Sequence, residues 1–377
     1  MYRLELSAPL RLVVVANMGG LFAHETEPDQ SRFEISTTGK FYNSAEEVQE
    51  GIALLLAHKD RVTELVLSRN SYGVQACEAI GLALAQCPRL VAVNLSDIFT
   101  GRLREEIPPA LGFLSGGLRS LQLEELDLSD NAFGPDGVRG FSELLANMPS
   151  LKTLRLNNNG LGPEGGALVA QALLQGQKPQ LEEFCAGRNR LENDGAAALG
   201  RLFGEMKSLK KVAVPQNGIK TEGFVALFAG LEQNPELQWI EVNDNCLSDE
   251  AAYSSLSRAV GRLQFLSVIN VGDSLLGDAG ALALLQALHA SNPHLLQLNL
   301  QYNELKAEAV GDELVQLVLE KEDLEMLNIK GNEFKERTKD KIVEGLERME
   351  KRELLAPLDS EDEEEEQAEV SGHEKNE

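Results

Sequence analysis

One segment of this 377-residue chain returns about every 29 residues, and few folds accommodate such a period. LEELDLSDNAFGPDG, starting at Leu123, is followed by LKTLRLNNNGLGPEG from Leu151, LKKVAVPQNGIKTEG from Leu209, LQWIEVNDNCLSDEA from Leu237 and LLQLNLQYNELKAEA from Leu295. Each unit reads L-x-x-L-x-L-x-x-N-x-L and then turns helical, the pattern of a leucine-rich repeat of the strand-plus-helix kind. The expected fold is an α/β leucine-rich repeat solenoid: a curved horseshoe with parallel strands on the concave face and helices outside. Such a chain offers an extended surface to another macromolecule.

The repeat asparagines, or their equivalents, fall at Asn70, Ile98, Asn131, Asn159, Asn189, Asn217, Asn245, Ser274, Asn303 and Asn332. Successive intervals are 28, 33, 28, 30, 28, 28, 29, 29 and 29, so ten strands are predicted, with an insertion between Ile98 and Asn131. Strand leucines point inward, and the residues between them face out. Helices are expected over Gly165–Leu174 and Gly195–Phe203, where small residues permit tight stacking. Proline at Pro88, Pro149, Pro179, Pro235 and Pro293, each two residues before a leucine, is read as the helix stop and strand start. Ser44 and Glu47 have capping-box spacing, and Phe33–Ile35 reads as an edge strand before them. Together they predict an N-terminal cap. Arg337–Leu355 is read as an amphipathic closing helix.

Three regions follow: a 1–32 extension unmatched by the repeat, a 33–356 repeat domain with end caps, and an acidic 357–377 tail. The stretch Asp359–Glu366 holds seven acids in eight residues, a composition that predicts disorder. Leu10–Ala16 (LRLVVVA) faintly resembles a signal-peptide core, but Arg11 interrupts it and no cleavage region follows. No apolar run is long enough to span a membrane.

Net charge decides which partners suit the surface. Sixty acids against 35 bases leave −25, which disfavours nucleic acid and favours a basic protein. The four cysteines are scattered, as in a reducing compartment. The five histidines have no metal-ligand spacing, and neither a nucleophile elbow nor a phosphate-cradling glycine loop is present. No metal, cofactor or enzyme is expected.

Departures from the repeat therefore mark the candidate site. The ladder asparagines satisfy backbone groups inside a solenoid and are read as structural. Asn158 lies one position before Asn159 and should face solvent at the strand end. In the second repeat the ladder asparagine is lost, and Ile98-Phe-Thr-Gly-Arg102 reads as an exposed insertion. A functional loop is one explanation; a packing adjustment with a solvated arginine is the other.

Residues at these places carry a family resemblance. SDIFTGRLREEIPPAL (Ser96–Leu111), LSDNAFGPDGVRGF (Leu128–Phe141), AGRNRLENDGA (Ala186–Ala196) and PQNGI (Pro215–Ile219) are similar to the Ran GTPase-activating protein family, in register from Phe33 to Leu355 and followed by an acidic stretch. The resemblance implies a protein that binds Ran in its GTP form and speeds hydrolysis. GTP, magnesium and the catalytic glutamine belong to Ran. Arg102 matches the family's essential arginine, with interface anchor and arginine finger both open as roles. Asn158 aligns with the asparagine that positions Ran's glutamine.

Arg104, Asp130, Arg188, Asp244 and Glu308 are the further candidates for partner contact, with ordinary solvated charge as the alternative for each. Asp130, Asp244 and Glu308 are placed near strand ends. The resemblance also implies a monomer in the cytoplasm, the perinuclear region included, supporting nucleocytoplasmic transport. Whether a Ran-binding protein assists is left open. The competing expectation is a leucine-rich inhibitor or scaffold that binds a basic protein without stimulating a reaction.

Overall fold

The structure is a computed structural model that describes residues 13–16, 31–35, 37–176 and 178–358. The Asp359–Glu366 acidic run lies outside them. Two compact units divide after Cys185.

The first unit opens with β1 (Val13–Ala16) and β2 (Arg32–Ile35), then β3 (Phe41–Tyr42), α1 (Ala45–Ala57), β4 (Glu64–Val66), β5 (Ser71–Tyr72) and α2 (Val74–Leu84). It continues through β6 (Ala92–Asn94), α3 (Ile107–Leu118), β7 (Glu125–Asp127), α4 (Gly134–Leu145), β8 (Thr153–Arg155), α5 (Gly162–Gln175) and β9 (Glu183–Cys185). The repeat strands run parallel, each one returning beside the last by way of a helix, and the central residue of each faces the helices. Phe33, Leu65, Val93, Leu126, Leu154 and Phe184 are thus aligned strand to strand and are all buried. Phe33–Ile35 is not an edge, contrary to expectation: β1 pairs parallel with β2, Val14 opposite Phe33. Val13–Ala16, the described part of the apolar run that resembles a signal core, therefore forms a strand.

The second unit repeats the scheme with α6 (Glu192–Met206), β10 (Lys211–Ala213), α7 (Thr221–Leu231), β11 (Trp239–Glu241), α8 (Glu250–Arg262), β12 (Val268–Asn270) and α9 (Gly277–His289). It ends in β13 (Gln297–Asn299), α10 (Glu308–Glu320), β14 (Met326–Asn328) and α11 (Glu336–Arg348). Its strand core is Val212, Ile240, Ile269, Leu298 and Leu327, again in register. The closing helix stops at Arg348, earlier than its amphipathic pattern suggests. The chain then turns so that Leu355 bridges Leu327, and Ala356 donates its N–H to the Leu327 carbonyl at 3.0 Å. Those last residues pair with the final strand rather than prolonging the helix.

Inside each unit the repeat asparagines form the expected ladder. The Asn159 side-chain carbonyl accepts from the Asn131 N–H at 2.9 Å, while its amide donates to the Leu128 and Leu156 carbonyls at 2.9 and 3.0 Å. Asn217 and Asn245 repeat the arrangement in the second unit. Buried backbone groups left unpaired cost about 1–3 kcal/mol each, so each asparagine answers for several such groups.

Proline is not the immediate helix stop. α2, α4, α5, α7 and α9 all end four residues before it, and each next strand starts four residues after it. In the second unit the asparagine preceding proline closes the helix instead. Asn234 donates to the Phe203 and Gly230 carbonyls at 2.9 and 3.1 Å, and its carbonyl accepts from the Leu209 N–H at 3.1 Å. Asn292 does the same work before Pro293. Lys321 takes over one repeat later, its buried ammonium donating to the Leu288 and Ser291 carbonyls at 2.6 Å each. Burial lowers the Lys321 pKa, because the charged form gives up its water.

Candidate functional site

Each repeat strand ends in a turn whose residue just before the ladder position takes a left-handed backbone. In the first unit these are Arg69, Asp97, Asp130 and Asn158, with φ of 64, 50, 62 and 53°. In the second they are Arg188, Gln216, Asp244, Asp273 and Tyr302 at 49 to 58°, then Gly331 at 66°. A left-handed residue with a Cβ costs about 1–2 kcal/mol, least for Asn and Asp. The turn turns the side chain away from the core that holds its neighbour. Asn159 is fully buried, whereas Asn158 is exposed. The offset of one residue from the ladder thus places Asn158, Asp130, Arg188 and Asp244 at equivalent positions of their repeats.

Asp130 and Asn158 also touch. The Asn158 amide Nδ2 donates to the Asp130 carboxylate at 2.9 Å, and the Asp130 N–H to the Asn157 carbonyl at 2.8 Å. Arg188 is exposed and Asp244 half-buried. Asp244 borders a hollow of about 390 Å³ with Arg190, Gln216 and Lys220.

Glu308 is not at a strand end. It opens α10 and faces Lys341 at 3.4 Å and Arg337 at 3.9 Å, on the helix side of its repeat. Its distance along the chain from β13 accounts for the misplacement. Arg104 is likewise tied to helices: its guanidinium meets Asp136 of α4 at 3.0 Å, and Arg139 links Asp136 to Glu164 of α5.

The insertion in the second repeat is only partly exposed. Ile98 and Phe99 are buried, against expectation. Ile98 occupies the inward ladder position and fills with hydrocarbon what an amide fills elsewhere. Its N–H is still satisfied, by the Asn131 side-chain carbonyl at 2.8 Å. Thr100, Gly101 and Leu103 do face solvent.

Arg102 bends back onto the short β3–β5 sheet. Its Nε donates to the Ser71 hydroxyl at 2.8 Å, Nη1 to the Asn43 side-chain carbonyl at 2.6 Å, and Nη2 to the Ser71 and Tyr42 carbonyls at 2.8 and 3.2 Å. The guanidinium also lies 5.4 Å from the centre of the Phe41 ring, near enough for cation–π attraction. Four of its five N–H donors are engaged within its own unit. No sequence pattern links Arg102 to Asn43 or Ser71; they sit 59 and 31 residues away.

Among the described residues no set of three or more His, Cys, Asp or Glu side chains is placed to hold a metal, and no helix is long and apolar enough to cross a membrane.

The strand register, the asparagine ladder and the helices on one side of the sheet make this a leucine-rich repeat protein of α/β solenoid type. A Leucine Rich repeat family model matches residues 120–142, 147–170 and 291–310. Two solved structures share the fold at low identity. An internalin from Listeria monocytogenes gives a TM-score of 0.50 at 19% identity, over 82% of this chain and 71% of that one. Rad7 with Elc1 from yeast gives 0.51 at 17%, over 82% and 79%.

Closer relatives define the family. The Ran GTPase-activating protein 1 of Saccharomyces cerevisiae is 34% identical over 300 residues, 74% of this chain and 73% of its own length. The Ran GTPase-activating protein of Drosophila melanogaster is 35% identical over 86% of this chain, and Ran GTPase-activating protein 1 of Xenopus laevis 46% identical over 49%. The chain belongs to the Ran GTPase-activating protein family. It spans 56% of the fly protein and 34% of the frog protein.

Proposed function

We propose that this protein activates the GTPase of Ran, binding Ran in its GTP form through its strand-end turns and speeding hydrolysis by orienting Ran's own machinery. Nucleotide and magnesium belong to the GTPase, so the chain contributes no cofactor and catalyses nothing alone. The observation that carries this reading is the exposed Asn158 amide, held on a left-handed turn by Asp130, in a chain of this family.

An oriented amide lowers the barrier by preorganisation. Placing the glutamine that directs the attacking water needs a hydrogen-bond group and no added charge. Arg102 acts as an anchor in this account: its donors are committed to Ser71, Asn43 and Tyr42, so it shapes the exposed Thr100–Leu103 rim. Asp130 supports Asn158 from the neighbouring turn, and Arg188 and Asp244 meet the partner from equivalent turns of the second unit. Arg104 takes part through its exposed guanidinium. Glu308, on the helix side, is left out. Acting from the cytoplasm as a monomer, such a protein would keep Ran there in its GDP form and give nuclear transport its direction.

Single-turnover hydrolysis of GTP by Ran, with this protein in catalytic amounts and no accessory protein, tests the proposal. Acceleration is expected. Binding without acceleration would instead describe a leucine-rich inhibitor or scaffold.

A further inference from the structure

Asn158 and Asp130 lie 28 residues apart, yet their side chains meet because consecutive repeats stack in register. A carboxylate can only accept hydrogen bonds. With Asp130 as neighbour, the Asn158 amide must turn its NH2 toward Asp130 and its carbonyl Oδ1 outward. Turned over, it would set carbonyl against carboxylate. Serine and backbone groups brace the pair: Ser129 Oγ accepts from the Asn157 N–H at 3.2 Å, and Asp127 accepts from the Ser129 N–H at 2.9 Å.

We infer that Asp130 is a positioning residue whose carboxylate selects the orientation of the Asn158 amide, so that the partner meets a hydrogen-bond acceptor. The matching group on the partner is a side-chain N–H donor, and the inference rests on the Ran reading above. In that setting the chemistry is specific. A GTPase glutamine must keep its carbonyl free to accept a proton of the attacking water. Asn158 Oδ1 accepting from the glutamine NH2 leaves that carbonyl available. An inverted Asn158 would donate to the same carbonyl and compete with the water. The sequence alone offered Asp130 only as a contact for the partner's basic surface.

Two substitutions separate orientation from fold, since Asn and Gly both tolerate the left-handed backbone at position 130. Asp130→Asn keeps the shape but lets the amide face either way; Asp130→Gly removes the selecting group. Both are compared with the unaltered chain in single-turnover Ran-GTP hydrolysis and in binding to Ran loaded with a non-hydrolysable GTP analogue. For Asp130→Gly the expected result is a maximal rate down about tenfold, short of the ~10²-fold cost of a misplaced group, with binding changed less than about twofold. Adding Asp130→Gly to Asn158→Ala should cost nothing further, because the two act as one unit. Full rate in both Asp130 variants, or independent losses in the double variant, would overturn the inference while leaving the Ran activity standing. An unaltered chain that fails to accelerate hydrolysis overturns the Ran reading itself, and the inference with it.

Discussion

Arg102 shows how a residue can matter to a surface without reaching across it. Its guanidinium ties the rim after β6 to β3 and β5 through four hydrogen bonds and the Phe41 ring. Removing it takes this donor from the buried Ser71 hydroxyl and carbonyl, while the Tyr42 carbonyl keeps the Gly73 N–H at 2.7 Å. Hydrogen bonds to charged groups contribute about 1.5–3 kcal/mol each, but Arg102 is partly exposed, which reduces the sum. Arg102→Ala should lower stability by about 2 kcal/mol and reduce activity. Arg102→Lys should recover little of either, because an ammonium cannot fork between Ser71 and Asn43. Denaturant unfolding beside the hydrolysis assay checks this; an Arg102→Ala variant as stable as the parent but inactive would make it a finger.

How far the sequence reveals the fold is best judged element by element. The strands and ladder asparagines follow from a hydrophobic period that packing enforces directly. Asn158 is legible too, because a one-residue offset from a buried ladder position means exposure. Other features depend on tertiary neighbours that no local pattern names. Phe99 reads as exposed but is buried, and the Asn234 and Asn292 helix closures are masked by the prolines that follow them. The close approach of α6 and α7 is similarly hidden: a methyl on Gly230 would overlap the Gly200 carbonyl. Gly230→Ala is therefore expected to destabilise by about 1–3 kcal/mol despite its better helix propensity. A gain in melting temperature would contradict this packing. The α2 element makes a separate prediction. Burial pushes the Cys77 thiol up to about 12, so it stays protonated and unreactive in the native state. Native-state thiol labelling followed by mass spectrometry should modify the partly exposed Cys246 first. Equal labelling of Cys77 would mean that α2 opens.

At the level of the whole chain, 60 acids against 35 bases set the conditions of encounter. Exposed charges of one sign steer an oppositely charged partner and are screened beyond about 8–10 Å at physiological salt. Association with Ran-GTP should slow as salt is raised from 50 to about 300 mM, with dissociation changing less. An association rate indifferent to salt would argue against steering. The repeats supply the frame, and the exposed Asp130–Asn158 turns of the first unit carry the centre of the proposed site. The most direct test compares the chain with its Asn158→Ala variant in single-turnover Ran-GTP hydrolysis, measuring affinity in parallel. A maximal rate reduced by about 10²-fold with little loss of affinity is the predicted result. An undiminished rate would contradict the assignment of the site.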